Sequence, residues 1–308
     1  MNIEHMKAVI GTNSWGSRLY GRLLRGSAVS EETLRETVGT AVKADLLMFD
    51  TAQDYGLGKG QKLIGALCPA ETMISAKYTP GKRYQSGQVR RSLEKDLRDF
   101  GRDSVEVYWL HLPNCIEQNL SEMAALYREG KIRHIGVSNF DLNECKAAQR
   151  ILSRFGIPLY GVQNHYSLLA RDWEQNGLTA WCRENGVSFW AWAVLEEGML
   201  VPPKRDESRS VMKMIFRKKR ERLVPLYRKM KEIGAKHHLT IPQVATAFVA
   251  SKGFVPICGC RKPYQVTQLQ AAAGTQLSAA EIAELEQAAD AVQIKILGAD
   301  MFRFAVKK

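Results

Sequence analysis

The chain has no run approaching the roughly 20 consecutive apolar residues that a membrane-crossing helix needs, which argues against a bilayer setting. Its first residues, "MNIEHMKAVIGTNSW", lack the charged-then-apolar layout of a secretory signal. Cysteine is sparse. Cys68, Cys115, Cys145, Cys182, Cys258 and Cys260 form no CxxC pair, and two alternating thiols at Cys258 and Cys260 do not make a zinc site. Reduced, buried thiols in a cytoplasmic protein without a metal are the expectation. A GxGxxG dinucleotide loop is missing as well: Gly56, Gly58 and Gly60 are followed by Gln61, so the spacing fails. Those glycines read instead as a sharp turn after Tyr55. Finally, no linker or low-complexity segment divides the 308 residues, so residues 1–308 are expected to form one domain.

What is present begins with charge. The net charge is +12, and "KMIFRKKRERLVPLYRKMK" (Lys213 to Lys231) carries nine Lys/Arg against one Glu. Such a run suits a polyanion. It lacks interleaved aromatics beyond Phe216 and Tyr227, however, and Leu223, Leu226 and Met230 mark a helical apolar stripe. A solvated helix face is the preferred reading, with no nucleic-acid or membrane partner.

Periodicity shows one unit repeated. Short apolar or β-branched runs are "KAVIGTN", "DLLMFDTA", "TMISAKYT", "SVEVYWLHL", "IRHIGVSNF", "LYGVQNHY", "VSFWAWAVL" and "GFVPICGC". Amphipathic stretches such as "EETLRETVGTAVKA", "SGQVRRSLEKDLRDFG", "LNECKAAQRILSRFG" and "GLTAWCRENG" lie between them, with Gly101, Gly130, Gly156 and Gly186 as stops. "LSAAEIAELEQAA" opens with a Ser278-to-Glu281 capping pattern. Eight strands alternating with helices predict an α/β fold, a single (β/α)8 TIM barrel.

A barrel places strand ends on one rim. Asp50, Lys77, His111, Asn139 and Gln163 follow successive strands at separations of 27, 34, 28 and 24 residues, about one strand–helix unit each. They should therefore share the carboxyl-end rim, where barrel enzymes assemble their sites. An ionised Asp50 ending a buried strand needs a partner, and Lys77 is the candidate. A phenol titrates too high to exchange protons readily at neutral pH, and a neighbouring ammonium favours its ionised form. Asp50, Lys77 and Tyr55 thus make an acid–base group, with His111 placed to donate a hydrogen bond to a carbonyl oxygen.

"FDTAQDYGLGKGQKLIG", "SAKYT", "YWLHLPN", "EGKIRHIGVSNF", "GVQNHYSLL" and "VPICGCRKP", in order over about residues 8 to 290, resemble the aldo-keto reductase superfamily. The resemblance implies a (β/α)8 barrel, an extended nicotinamide cofactor and carbonyl–alcohol interconversion. Asp50, Tyr55, Lys77 and His111 would be catalytic, with Tyr55 the general acid. Ser138, Asn139 and Gln163 would hold the carboxamide, and Trp192 would stack on the nicotinamide where the family usually has Tyr. Gly11, Thr12, Ala193, Leu195 and Gly198 would line the cofactor path; Ala193 replaces a usual Ser. Gly259, Arg261, Lys262, Gln265 and Gln268 match the adenosine 2′-phosphate segment, with Gln265 where Arg is common and Leu269 where Asn is common. Gln61 replaces a usual Glu. Trp15, Tyr78 and Leu112 would face the substrate.

The expectation is a cytoplasmic, NADP(H)-dependent reductase of small aldehydes or ketones, with NAD(H) possible. Its rivals are NAD-dependent oxidation of an alcohol or sugar and a slow-turnover redox-sensing subunit. The carbonyl substrate and the oligomeric state are not encoded in readable motifs.

Overall fold

The computed structural model describes residues 3, 6–16, 28–53, 55–203, 219–294, 296 and 306. Eight parallel strands close in chain order: β1 (Val9–Gly11), β2 (Met48–Asp50), β3 (Met73–Tyr78), β4 (Val105–Leu110), β5 (Ile132–Ser138), β6 (Gly161–His165), β7 (Ser188–Trp192) and β8 (Val255–Gly259). The closing pair sets Gly11 beside Gly259. Around them run α1 (Glu31–Lys43), α2 (Gly60–Leu67), α3 (Gln88–Phe100), α4 (Ile116–Arg128), α5 (Leu142–Ser153), α6 (Asp172–Gln175), α7 (Leu178–Glu184), α8 (Val224–His237), α9 (Ile241–Ser251), α10 (Pro263–Ala273) and α11 (Ala279–Ala291). This is the (β/α)8 barrel that the alternation implied.

Local sequence sets the helix ends. Asp141 and Glu144 exchange side-chain and backbone hydrogen bonds at the start of α5, and Ser278 and Glu281 do the same for α11. α3 stops at Gly101, whose φ of 64° closes its N–H onto Leu97 and Arg98. The helix expected over "GLTAWCRENG" is α7, and Gly177, at φ 83°, separates it from α6. No helix among the described residues is long and apolar enough to cross a membrane.

The basic run falls partly outside the described residues, which resume at Lys219. From there Leu223, Leu226 and Met230 are fully buried, as the stripe required. Arg220 donates to the Val201 carbonyl, Arg222 to those of Val292 and Gln293, and Lys229 pairs with Glu232 and Glu284. Among the described residues of the run, Arg220, Arg222 and Lys229 thus have partners within the chain, while Arg228 and Lys231 lie on the exposed face of α8.

Side chains alternate along each strand, so the barrel interior takes every second residue. Its lower layers hold Val9, Met48, Val107, Trp109, Trp190 and Ile257, with Ile3 against them. Trp109 is the large occupant. Its ring lies where side chains of Gly136 and Gly161 would otherwise stand: an added Cβ at Gly136 would come within 2.3 Å of Trp109 Cε3. Trp190 packs edge-on at 4.9 Å, and the indole N–H donates to Ser75 Oγ at 2.7 Å, so the ring has little freedom to retreat. Gly136→Ala is accordingly expected to lower stability by about 1–3 kcal/mol, the usual cost of overpacking a core. A urea midpoint equal to the parent's would show that the ring has room to move.

Candidate active site

Asp50 ends β2 on the inner face and is 3% exposed. Lys77, on β3 and 1% exposed, reaches it through a direct ion pair between Nζ and Oδ1. Two buried charges remain favourable only when their other hydrogen-bonding positions are also filled. Asp50 Oδ2 accepts from Ser75 Oγ at 2.7 Å and from Gln163 Nε2 at 2.9 Å, while Lys77 Nζ also donates to Thr51 O at 3.0 Å. Ser75 has one proton, which Asp50 takes, so the Trp109 N–H must approach its lone pair. The barrel's central indole thus fixes the hydroxyl that fixes the carboxylate.

Tyr55 opens a short 3₁₀ turn, Tyr55–Gly58, between β2 and α2. Lys77 Nζ lies 5.1 Å from its ring centroid. Gly56 follows at φ 61°, and a Cβ there would meet the Trp15 carbonyl at 2.4 Å, so no larger residue fits the turn. His111 comes just after β4, its N–H bonded to Tyr78 O and its Nδ1 2.9 Å from Thr79 Oγ1. Burial, helped by the Lys77 charge, pushes the His111 pKa down to about 3. The imidazole is therefore neutral at ordinary pH, with Nδ1 and the Thr79 hydroxyl sharing one hydrogen bond.

Ser138, Asn139 and Gln163 form one cluster beside this group. Ser138 Oγ donates to Gln163 O at 2.8 Å, and Asn139 Nδ2 contacts His111 O and Ser138 Oγ at 3.0 and 3.2 Å. Trp192 ends β7 and stacks on His165, ring centroids 4.7 Å apart. His165 in turn contacts Glu196 Oε1 at 2.8 Å, and Ser167 donates to the same oxygen. Beyond Trp192 the backbone passes through left-handed conformations at Ala193, Glu196, Glu197 and Gly198, strain that concentrates at functional loops. Sequence reading had marked Ala193, Leu195 and Gly198 here but missed His165 and Glu196, although "NHYS" and "LEEG" display both.

The remaining expected residues divide. Thr12 donates its N–H and hydroxyl to the Asp50 carbonyl, at 3.0 and 2.8 Å, and so ties β1 to β2. Arg261, Lys262 and the 57% exposed Tyr264 stand where β8 turns into α10. Gln265 is spent as a cap, its Oε1 accepting from the N–H groups of Arg261 and Lys262. Gln268 gives its carbonyl to Gln243, and Leu269 is buried in the helical core. Trp15, expected to face the substrate, is 1% exposed, donates to the Cys260 carbonyl and packs on Phe49. Tyr78, expected beside the substrate, alternates with Lys77 and packs in the outer core with Ile74 and Ala76. Leu112 is 7% exposed.

Asp96 was not foreseen. It lies on α3 at 1% exposure and accepts from Gln53 Nε2 and Gln61 Nε2, each at 3.2 Å. The signal was legible as a carboxylate on the buried stripe of Val89, Leu93, Leu97 and Phe100.

His111 should keep its proton count across ordinary pH. Its folded pKa lies below the ordinary value of 6.5, so the stability it contributes is complete above pH 6.5 and lost as pH falls towards 3. In NMR spectra assigned with a His111→Gln variant, its Cε1–H resonance should stay fixed from pH 8 to pH 5. A titration centred near 6.5 would show the ring open to water.

The Aldo/keto reductase family profile matches residues 7–290. The chloroplastic pyridoxal reductase of Arabidopsis thaliana is 28% identical over 303 residues, covering 91% of this chain and 82% of that protein. A crystal structure of a thermostable aldo-keto reductase superposes with a TM-score of 0.73 at 28% identity, over 92% of this chain and 94% of the other. The glycerol dehydrogenase of Gluconobacter oxydans shares the fold with a TM-score of 0.77 at 20% identity, over 93% and 90%. A profile that takes in all eight strands settles the kinship: this chain belongs to the aldo/keto reductase family.

Proposed function

We propose that this chain reduces an aldehyde or ketone to the alcohol with NADPH, Tyr55 giving the proton. The observation that carries the reading is the Lys77 ammonium, held by Asp50 and Thr51 O and lying 5.1 Å from the Tyr55 ring centroid. A phenol beside a fixed positive charge gives up its proton more readily, and the same charge stabilises the phenolate left behind. When bound, the dihydronicotinamide supplies the hydride that adds to the carbonyl carbon. The carbonyl π pair moves to oxygen, and Tyr55 Oη delivers the proton there. Neutral His111, its Nδ1 sharing a hydrogen bond with the Thr79 hydroxyl, orients that oxygen. Solvent then restores the proton to Tyr55.

The residues present suit such a cofactor. Asn139 and Gln163 use their amide nitrogens internally, so each offers a carbonyl oxygen to a carboxamide NH2. Trp192 ends β7 at the rim, its indole stacked on His165. Gly11 and Gly259 pair across the barrel closure without side chains, and a Cβ at Gly11 would press on Ile257 at 3.3 Å. Arg261 and Lys262 supply cations for a 2′-phosphate. The plant relative is named a pyridoxal reductase, and pyridoxal carries the class of aldehyde this reading assigns.

NADPH consumption with pyridoxal, 4-nitrobenzaldehyde and small aliphatic ketones tests the activity; no turnover with any carbonyl would defeat it. Tyr55→Phe should keep cofactor binding and lose roughly two to four decades of rate, the range for general acid loss. Equal turnover would remove Tyr55 from the chemistry. At the other end of the site, Arg261→Ala should weaken NADPH by about 1.5–3 kcal/mol and hardly change NADH. Quenching of tryptophan fluorescence measures both dissociation constants, and an equal loss for the two would defeat that assignment.

A further inference from the structure

Tyr55 sits on a turn flanked by two glutamines. Gln53 lies two residues before it and Gln61 six residues after it, at the start of α2. Both side chains converge on one carboxylate from another element: Gln53 Nε2 donates to Asp96 Oδ2 and Gln61 Nε2 to Oδ1, each at 3.2 Å. Helix packing makes the anchor stiff, because a Cβ at Gly65 of α2 would meet the Asp99 carbonyl of α3 at 2.3 Å. We propose that Asp96 is a positioning residue for Tyr55, its two oxygens gripping the turn from both sides and setting the phenol against Lys77. This rests on Tyr55 being the proton donor.

The grip depends on charge. An ionised carboxylate accepts at both oxygens, and both glutamines donate. A protonated Asp96 keeps one acceptor fewer. Gln61 must then turn its amide over, which would leave two N–H groups where its carbonyl oxygen now stands buried without a hydrogen-bond partner. The groups facing Asp96 are the amides of Gln53 and Gln61, the Tyr108 phenol from β4, and Lys95 and Asp99 on its own helix. Burial is the largest influence on Asp96 and moves its pKa up to about 6. Above that value the turn is gripped from both sides; below it, one side lets go.

The test is kcat/KM from pH 5 to pH 9 with NADPH and 4-nitrobenzaldehyde, uncharged throughout, for the parent and Asp96→Asn, Gln53→Met and Tyr55→Phe. The parent should fall about tenfold across a limb centred near pH 6, as one ionisation requires. Asp96→Asn should lack that limb and run at a reduced rate, with its NADPH dissociation constant unchanged. A parent-like limb in Asp96→Asn would overturn the proposal. Should that variant not fold, Gln53→Met decides, since it alters no charge. Ultraviolet difference titration against Tyr55→Phe, which needs no substrate, should show the Tyr55 midpoint in Gln53→Met raised by about half a pH unit as the phenol leaves Lys77. An unmoved midpoint would overturn the proposal. Full activity of Tyr55→Phe is a different result: it would remove the proton-donor reading, and the role of Asp96 with it.

Discussion

Everything at the rim depends on one buried ion pair. Isolated, Asp50 and Lys77 would each be costly to bury, and a well-packed apolar pair often serves stability as well or better. What makes the pair tenable is its further hydrogen bonds: Ser75 and Gln163 on the carboxylate and the Thr51 carbonyl on the ammonium. Those partners have requirements of their own. Ser75 needs the Trp109 indole, and the indole needs Gly136 and Gly161 to have no side chains. The ammonium also acts outside the pair: it lies 5.1 Å from the Tyr55 ring centroid and helps to lower the His111 pKa.

The rim is built by contributions from separate strands, tied crosswise. Asn139 grips the His111 backbone, Gln163 grips Asp50, and Ser138 grips Gln163. A change at any one position therefore reaches the others through polar contacts, and its effects should couple rather than add. The loop after β7 is organised differently. Its left-handed residues, Ala193 and Glu196 among them, are held by the buried contacts of Glu196 with His165 and Ser167. A carboxylate in that position offsets backbone strain that the local sequence alone would not sustain.

Strand spacing made the barrel and its rim legible, because a closed parallel sheet turns regular separation into common height. Asp50, Lys77 and His111 could be paired from chemistry alone. Other features depend on what lies across a helix interface or beyond a turn. Trp15 reads as a pocket aromatic, but its N–H bonds the Cys260 carbonyl, 245 residues away along the chain, and this shows only in the fold. Tyr78 follows a site lysine, yet alternation sends it outward. Leu269 departs from a family pattern because the helix buries it. Asp96 stood in plain view on an apolar stripe, but its meaning required knowing that Gln53 and Gln61 reach it from outside α3.

The two ends of the proposed cofactor site differ in how far they are tied to the fold. Asp50, Lys77 and Gln163 are each at most 3% exposed and bonded into the barrel wall. Breaking a buried ion pair by removing one partner typically costs 3–5 kcal/mol, so the chemical end cannot vary without endangering the structure. At the β8 end, Lys262 and Tyr264 are exposed, and Gln265 secures the helix start through backbone contacts that do not depend on its neighbours' side chains. Substitutions there sit outside the core and usually change stability little. The β8 end can therefore change without loss of the barrel, whereas Asp50, Lys77 and Gln163 are fixed by side-chain contacts that join β2 to β3 and β6.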